Sequence, residues 1–244
     1  MTISFIVTSY NYADYIKETI ASIQNQTFKD FEIIVVDDFS TDNSVEILKK
    51  IDGIKLICHK QNQGQLASII TGLKEASGEY VNIIDSDDTI YPQFAETLLK
   101  ELQENNVALV CCNCKENKIL TPQNSAVGGW WWSPMSCGLL KKDVLTPLLN
   151  YKNSACWKIC PDKLIFNLAH LQGNSKIISK TLVNKRNHDK NAGKSKYRFF
   201  INVKNNFVIR HELSKILQNP KYDKIIAKSY FHIFTQIINF CNRK

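Results

Sequence analysis

A chain of 244 residues that is 44% hydrophobic has the material for one large α/β domain or two small ones, and the lack of any long uninterrupted apolar run excludes a membrane-spanning helix. The net charge is +8 but unevenly spread: residues 176–244 hold 16 Lys and Arg against 3 Asp and Glu, whereas residues 1–175 hold 15 against 20. A basic tail on a mildly acidic body implies either an anionic partner (a phospholipid surface, an acidic substrate or a nucleic acid) or a solvated face of basic helices.

Met1 runs straight into an apolar strand pattern with no basic leader, so no signal peptide is read and a cytoplasmic location is expected. ISFIVTSY (3–10) reads as a strand ending in small polar residues. From Asp14 to Asn25 the residues Tyr15, Ile16, Thr19, Ile20 and Ile23 fall on one helical face. FEIIVVDD (31–38) is a buried strand, and Ser40-Thr41-Asp42 marks a helix start before VEILKKI. IKLICH (54–59) is a third strand, NQGQ leads into a helix over 65–76 ended by Gly78, and YVNIID (80–85) is a fourth strand. Pro92 opens a helix to about 104, and VALVCC (107–112) is a fifth strand. Strands that are continuous apolar runs, alternating with helices, predict a mostly parallel central sheet flanked by helices, Rossmann-like in layout.

Beyond residue 112 the alternation stops. GGWWWSPMSCGLL (128–140) is rich in aromatic and small residues, DKLIFNLAHLQG (162–173) is a helix ended by glycine, and KIISKTLV (176–183) alternates as a strand. From about 196 two helical segments run to the end, with Pro220 near their break. The eight cysteines include Cys111, Cys112, Cys114, Cys156 and Cys160 but no pair of C-x-x-C knuckles, so reduced, mostly buried thiols are expected rather than zinc or disulfides.

Polar residues gather where the parallel strands end: Thr8-Ser9-Tyr10, Asp37-Asp38, and Asp85, Asp87 and Asp88 in GEYVNIIDSDD (78–88). Open α/β sheets bind ligands at that edge. Three carboxylates so close repel one another, and a divalent cation brought by an anionic ligand would resolve the repulsion.

With TSYN at 8–11, QTFKDFEIIVVDD at 26–38, STD at 40–42, NQGQ at 62–65 and GEYVNIIDSDD at 78–88, the chain resembles the family 2 inverting glycosyltransferases of the GT-A fold, more weakly as far as Asp162 and RNHDKN (186–191). The resemblance implies a UDP-sugar donor, Mn²⁺ or Mg²⁺, and direct transfer with inversion to a glycan or lipid-linked acceptor, as in surface polysaccharide or lipid-linked oligosaccharide synthesis. It implies that Thr8, Tyr10 and Asp38 hold the uridine: an aspartate can accept the N3–H of uracil while a tyrosine ring packs on the base. Asp85-Ser86-Asp87 matches the DXD metal motif, with Asp87 and Asp88 as metal ligands and Asp85 on the nucleotide side. Asp162 matches the general base, although family members often carry Glu-Asp where this chain has Pro161-Asp162. Arg186 and His188 match a late motif that closes over the diphosphate. A helix pair that is often Arg-Asn in the family is Ile69-Ile70 here, so no diphosphate contact is expected from that helix. Trp131 and Trp132 have no family role and are candidates for a sugar pocket, since rings stack on the C–H faces of sugars.

The implied division is 1–112 as the sugar-nucleotide half, 113–192 as the acceptor and catalytic-base half of the same domain, and 193–244 as a basic helical extension. KYRFFINVKNNFVIRHELSKIL (196–217) and FHIFTQIINF (231–240) mix cations with apolar residues, and either lie on an anionic membrane or pack on the domain. No nucleic acid partner is expected. A nucleotidyltransferase would show a glycine-rich basic loop after the first strand, which TSYNYADY lacks. A non-catalytic sugar-nucleotide-binding subunit would have no need of both DSDD and Asp162. No G-x-G-x-x-G follows the first strand, which excludes a Rossmann dehydrogenase.

Overall fold

The computed structural model describes residues 2–115, 134–152, 154, 157, 161–188, 198–220 and 222. Its centre is an eight-stranded sheet built from β1 (Ile3–Ser9), β2 (Phe31–Asp37), β3 (Lys55–Cys58), β4 (Tyr80–Asp85), β5 (Thr89–Ile90), β6 (Leu109–Lys115), β7 (Gly138–Lys141) and β8 (Ser175–Asn184), in the order β3-β2-β1-β4-β7-β6-β8-β5. The first four strands run parallel, as do β6 and β8 to each other. β7 is antiparallel to both β4 and β6, and β5 is antiparallel to β8.

All seven residues of β1 are buried. Successive side chains of a strand point to opposite faces, and each face meets its own layer of helices. Ile6, Ile34 and Val36 pack with Leu66, Ile69 and Leu73 of α3 (Gln65–Glu75) and with Leu164, Ile165 and Leu168 of α5 (Asp162–Gly173). Phe5, Val7, Ile33 and Val35 pack with Ile16, Ile20 and Ile23 of α1 (Ile16–Gln24) and with Phe94, Leu98 and Leu102 of α4 (Phe94–Asn105). Burying two faces of one sheet requires the apolar runs seen in the sequence. Ile69 and Ile70 are buried in this core.

Several elements depart from expectation. The second helix, α2, is a short Ser44–Leu48 turn that follows the Ser40-Thr41-Asp42 start signal but ends before the rest of VEILKKI. The Asp42 carboxylate accepts from the Ala13 amide at 3.0 Å, and from both the Ser44 amide at 3.0 Å and the Ser44 hydroxyl at 2.5 Å, so it ties α2 to the β1–α1 loop. β6 starts at Leu109 and extends to Lys115. β7 and β5 are short strands that no apolar run signals.

The C-terminal region contributes α6 (Arg198–Leu217), whose Ile209 and Leu213 lie inside the same core as α3 and α5. Glu212 accepts a hydrogen bond from Tyr151 Oη at 2.7 Å, and Tyr151 in turn accepts one from Trp157 Nε1 at 3.1 Å. The segment 231–240 lies outside the described residues. No helix among the described residues is long and apolar enough to cross a membrane. Cys111, Cys112, Cys114 and Cys137 are buried thiols and Cys58 is an exposed one, while Cys156 and Cys160 lie outside the described residues.

Candidate active site

The parallel strands β1, β2 and β4 end side by side, with Ser9 paired to Asp37 and Thr8 to Asp85. Each chain then leaves the sheet in a polar loop, which brings the Tyr10, Asp38 and Asp85–Asp88 stretches to one edge. Oxygen atoms of Asp85, Asp87 and Asp88 lie within 4.8 Å of one another. Burial, reinforced by the charges of Asp88, Asp87 and Asp162, pushes the Asp85 carboxyl well above the usual range, and burial with the Asp87 charge pushes Asp88 up to about 6. Burial is the larger cause in both, and the mutual repulsion of the carboxylates adds to it.

Neighbouring groups hold the carboxylates in place. Gln65 Nε2, from the first turn of α3, donates to Asp85 Oδ1 at 2.7 Å. The Ser136 hydroxyl, just before β7, donates to Asp88 Oδ2 at 2.6 Å and accepts the Asp85 amide at 3.1 Å. Thr19 of α1 donates to the Ser86 carbonyl at 2.8 Å. The loop after β8 closes the arrangement from the far end of the chain. The Arg186 amide donates to Asp88 Oδ1 at 3.3 Å and its Nε to the Asp87 carbonyl. The rest of that guanidinium binds α1, with Glu18 at 2.5 Å and the Tyr15 carbonyl at 3.3 Å. His188 Nε2 is 3.0 Å from Asp87 Oδ2, and its ring stacks on Tyr15 with centroids 4.5 Å apart. Tyr12 meets the same imidazole edge-on at 5.9 Å, and burial together with the nearby Asp87, Asp85 and Asp88 charges raises its phenol above the ordinary tyrosine value.

Two further groups face this centre. Asp162 is the first residue of α5, preceded by Pro161 at the cap position. Burial raises its carboxyl, against hydrogen bonds from its own amide and from Met135 and the charges of Lys185 and Lys163. Lys185 is half-buried; burial lowers its ammonium, but Asp85, Asp88, Asp162 and Asp87 together outweigh that and raise it.

Asp38 is 4% exposed and well anchored. Its Oδ1 is 2.7 Å from His59 Nδ1 and accepts the Gln63 amide at 2.8 Å, while Oδ2 accepts the Gly64 amide at 2.7 Å. His59 reaches on to Thr71 at 3.0 Å. Thr8 is buried beneath this edge and Tyr10 is exposed on it. The sequence-predicted Thr8, Tyr10, Asp38, Asp85, Asp87, Asp88, Asp162, Arg186 and His188 thus share one end of the sheet, whereas Trp131 and Trp132 lie outside the described residues. Gln65, Ser136 and Lys185 escaped the sequence reading. Lys185 stood directly before the Arg186 motif and could have been taken with it; Ser136 carries no such signal.

The fold matches that of solved GT-A glycosyltransferases. The structure of Staphylococcus aureus TarS 1–349 in complex with UDP-GlcNAc superposes with a TM-score of 0.72 at 22% identity, over 96% of this chain and 73% of that one. A mannosyltransferase from Pyrobaculum calidifontis, solved with GDP-Man and Mn²⁺, superposes with a TM-score of 0.65 at 18% identity, covering 94% and 69%. A family model, Glycosyl transferase family 2, matches residues 4–158, and the chain belongs to that family. Among its relatives, the glycosyltransferase GlyG of Streptococcus pneumoniae is 39% identical over 115 residues, 46% of this chain and 38% of GlyG. An uncharacterized glycosyltransferase of Nostoc is 29% identical over 215 residues, 78% of this chain and 66% of its own length. The matched stretch is thus well under two thirds of the pneumococcal relative.

Proposed function

We propose that this glycosyltransferase moves a sugar from a UDP-sugar to an acceptor hydroxyl with inversion, using Mn²⁺ or Mg²⁺, in the synthesis of a surface polysaccharide or a lipid-linked oligosaccharide. The observation that carries the reading is the meeting of Asp85, Asp87 and Asp88 with Asp162 and Lys185 at the strand ends beside Tyr10 and Asp38. The UDP and UDP-GlcNAc bound in the TarS structures support the choice of donor, and the destination follows the family resemblance alone.

The donor set fits a hard divalent cation. It is all carboxylate oxygen and compact, and burial together with mutual repulsion holds Asp85 and Asp88 above the ordinary carboxylate range. Asp87 and Asp88 would hold the ion, with the His188 imidazole as an added donor beside Asp87. A bound cation would offset the charge that develops on the departing diphosphate. Lys185 and Arg186 make the cationic side of the site, which the diphosphate faces. Tyr10 packs on the base. Asp38 Oδ2, with one amide already bound, has a further acceptor position for the uracil N3–H. Asp162 takes the acceptor proton during attack, and its burial-raised carboxyl is a stronger base for that step.

Asp162→Asn tests the base. UDP binding by calorimetry is expected to stay near wild type while transfer falls by about 10²-fold or more; near-normal turnover would place the base elsewhere. Asp87→Ala tests the metal and should abolish the Mn²⁺-dependent part of UDP affinity. Equal UDP affinity of the wild type in EDTA and in Mn²⁺ would remove the metal from the reading.

A further inference from the structure

Phe39 follows Asp38 directly and sits in the left-handed backbone region, with φ at +70°. An L-residue with a bulky ring is disfavoured there, and glycine would occupy the same position without penalty. The conformation is imposed locally. Asp37 accepts the Ser40 amide at 2.8 Å and the Ser40 hydroxyl at 2.5 Å, curling residues 37–40 into a tight turn with Phe39 inside it.

Burial does not compensate for the strained backbone. Phe39 is 49% exposed, and with Tyr10 at 44% and Tyr91 at 41% it makes up the exposed large hydrophobics among the described residues. Phe39 and Tyr10 lie on the loops that follow β2 and β1, strands that end with Asp37 paired to Ser9. On one side of the pair the Asp38 amide donates to the Ser9 carbonyl at 2.8 Å; on the other the Asn11 amide donates to the Ser40 hydroxyl at 2.9 Å, and Thr41 and Asn11 are joined at 2.8 Å. Both rings therefore stand on a lip stitched at each end and rooted in the buried Asp37 and Asp38.

Strain at a position that glycine would relieve, joined to a ring left in water on a loop stitched to the one that carries exposed Tyr10, is the pattern of a contact completed by a ligand. We propose that Phe39 is a second aromatic contact for the nucleobase of the donor, working with Tyr10. The inference rests on the nucleotide-sugar reading above and adds to it a residue outside its metal, diphosphate and base-catalysis parts. An exposed ring can stack on any base, so Phe39 supplies affinity, while Asp38, by its acceptor at the uracil edge, supplies the choice among bases.

Calorimetry with UDP and with uridine, each with and without Mn²⁺, tests this on the full chain carrying Phe39→Gly, Phe39→Leu or Phe39→Tyr. Loss of a base–ring stack is expected to weaken both UDP and uridine by about 5-fold or more in Phe39→Gly, while Phe39→Tyr stays within about twofold of wild type. The factor by which Mn²⁺ strengthens UDP binding should be the same in all of them, since the metal site is untouched. The melting temperature of ligand-free Phe39→Gly should not fall, because the strained backbone is relieved. If Phe39→Gly, or Phe39→Leu should the glycine variant fail to fold, binds UDP and uridine as tightly as wild type, Phe39 is not a base contact. If wild type itself binds neither UDP nor uridine, the nucleotide reading falls first, and this proposal with it.

Discussion

One hydroxyl, that of Ser136, touches two acidic residues at once, donating to Asp88 and accepting from the Asp85 amide. Groups that orient metal ligands commonly change affinity by about 10–100-fold when removed, so Ser136→Ala is expected to weaken Mn²⁺ binding by about 10-fold. Calorimetry with Mn²⁺ checks it, and unchanged affinity would leave Ser136 a packing residue only. Asp88 carries a pH signature of its own. Its folded pKa of about 6 lies above the ordinary value of 3.8, so without metal the folded state holds a proton that the unfolded chain has lost. That contribution is full below about pH 4 and disappears as pH rises through about 6. In EDTA the wild type should therefore lose melting temperature over this window relative to Asp88→Asn, and Mn²⁺ at pH 7 should restore it. Parallel pH curves for the two proteins would show that Asp88 is not perturbed. The carboxylates of this site were legible in the sequence because an apolar run ended in them. Ser136 was not, because what makes it part of the site is proximity across 51 residues of chain, which no local pattern encodes; Gln65 and Lys185 lay in or beside the quoted motifs, but they meet the carboxylates across 20 and about a hundred residues.

The elements that frame the site are held at their opposite ends by a polar knot. Glu32 of β2 accepts from the Ser4 hydroxyl at 2.6 Å, from the Ser77 amide at 2.6 Å and from the Ser77 hydroxyl at 2.7 Å, joining β1, β2 and the turn before β4. Gly78 lies in that turn, where a Cβ would meet the Thr2 carbonyl and the Ser4 hydroxyl at 2.7 Å and the Ser4 amide at 2.8 Å. Backbone cannot swing aside as a side chain can, so Gly78→Ala is expected to cost about 1–3 kcal/mol; a urea midpoint equal to wild type would contradict it. In sequence Gly78 reads only as a helix stop, whereas the close approach of a neighbouring strand is what excludes other residues. The same contrast runs through the fold. α5 occupies Asp162–Gly173 as read, and β1 to β4 lie within a residue or two of their predicted ends, because amphipathic spacing and doubly buried runs are local signals. β7 and β5 are strands because their partners make them so: Asn82 pairs with Leu139, and Ile90 with Val183. Short segments of four and two residues carry too little period to declare themselves.

Over the whole molecule, the basic C-terminal region is partly core. Ile209 and Leu213 are buried against α5, so Leu213→Ala is expected to cost about 2–5 kcal/mol, measured by denaturant unfolding. A cost near zero would mean that α6 docks only loosely. Deleting the region would for the same reason expose the core, so the membrane contact suggested by its charge is better tested by substituting cations. Co-sedimentation with anionic vesicles at low salt, reduced when Lys221, Lys224 and Lys228 are changed to Gln, is the expected outcome; no binding by the intact chain would end the membrane reading. Arg186 and His188 reach back to Asp87 across 99 and 101 residues. A ribosome therefore releases the acidic cluster long before the residues that bind it, and in the interval those three carboxylates belong to a sheet with neither cation nor clasp. The segment matching the family model stops at residue 158, short of every one of those late partners. A nascent chain paused there would hold most of the sheet and none of the late loop. Residues 185–188 follow β8 directly, so Arg186 and His188 meet the acidic cluster and α1 only once β8 lies beside β6.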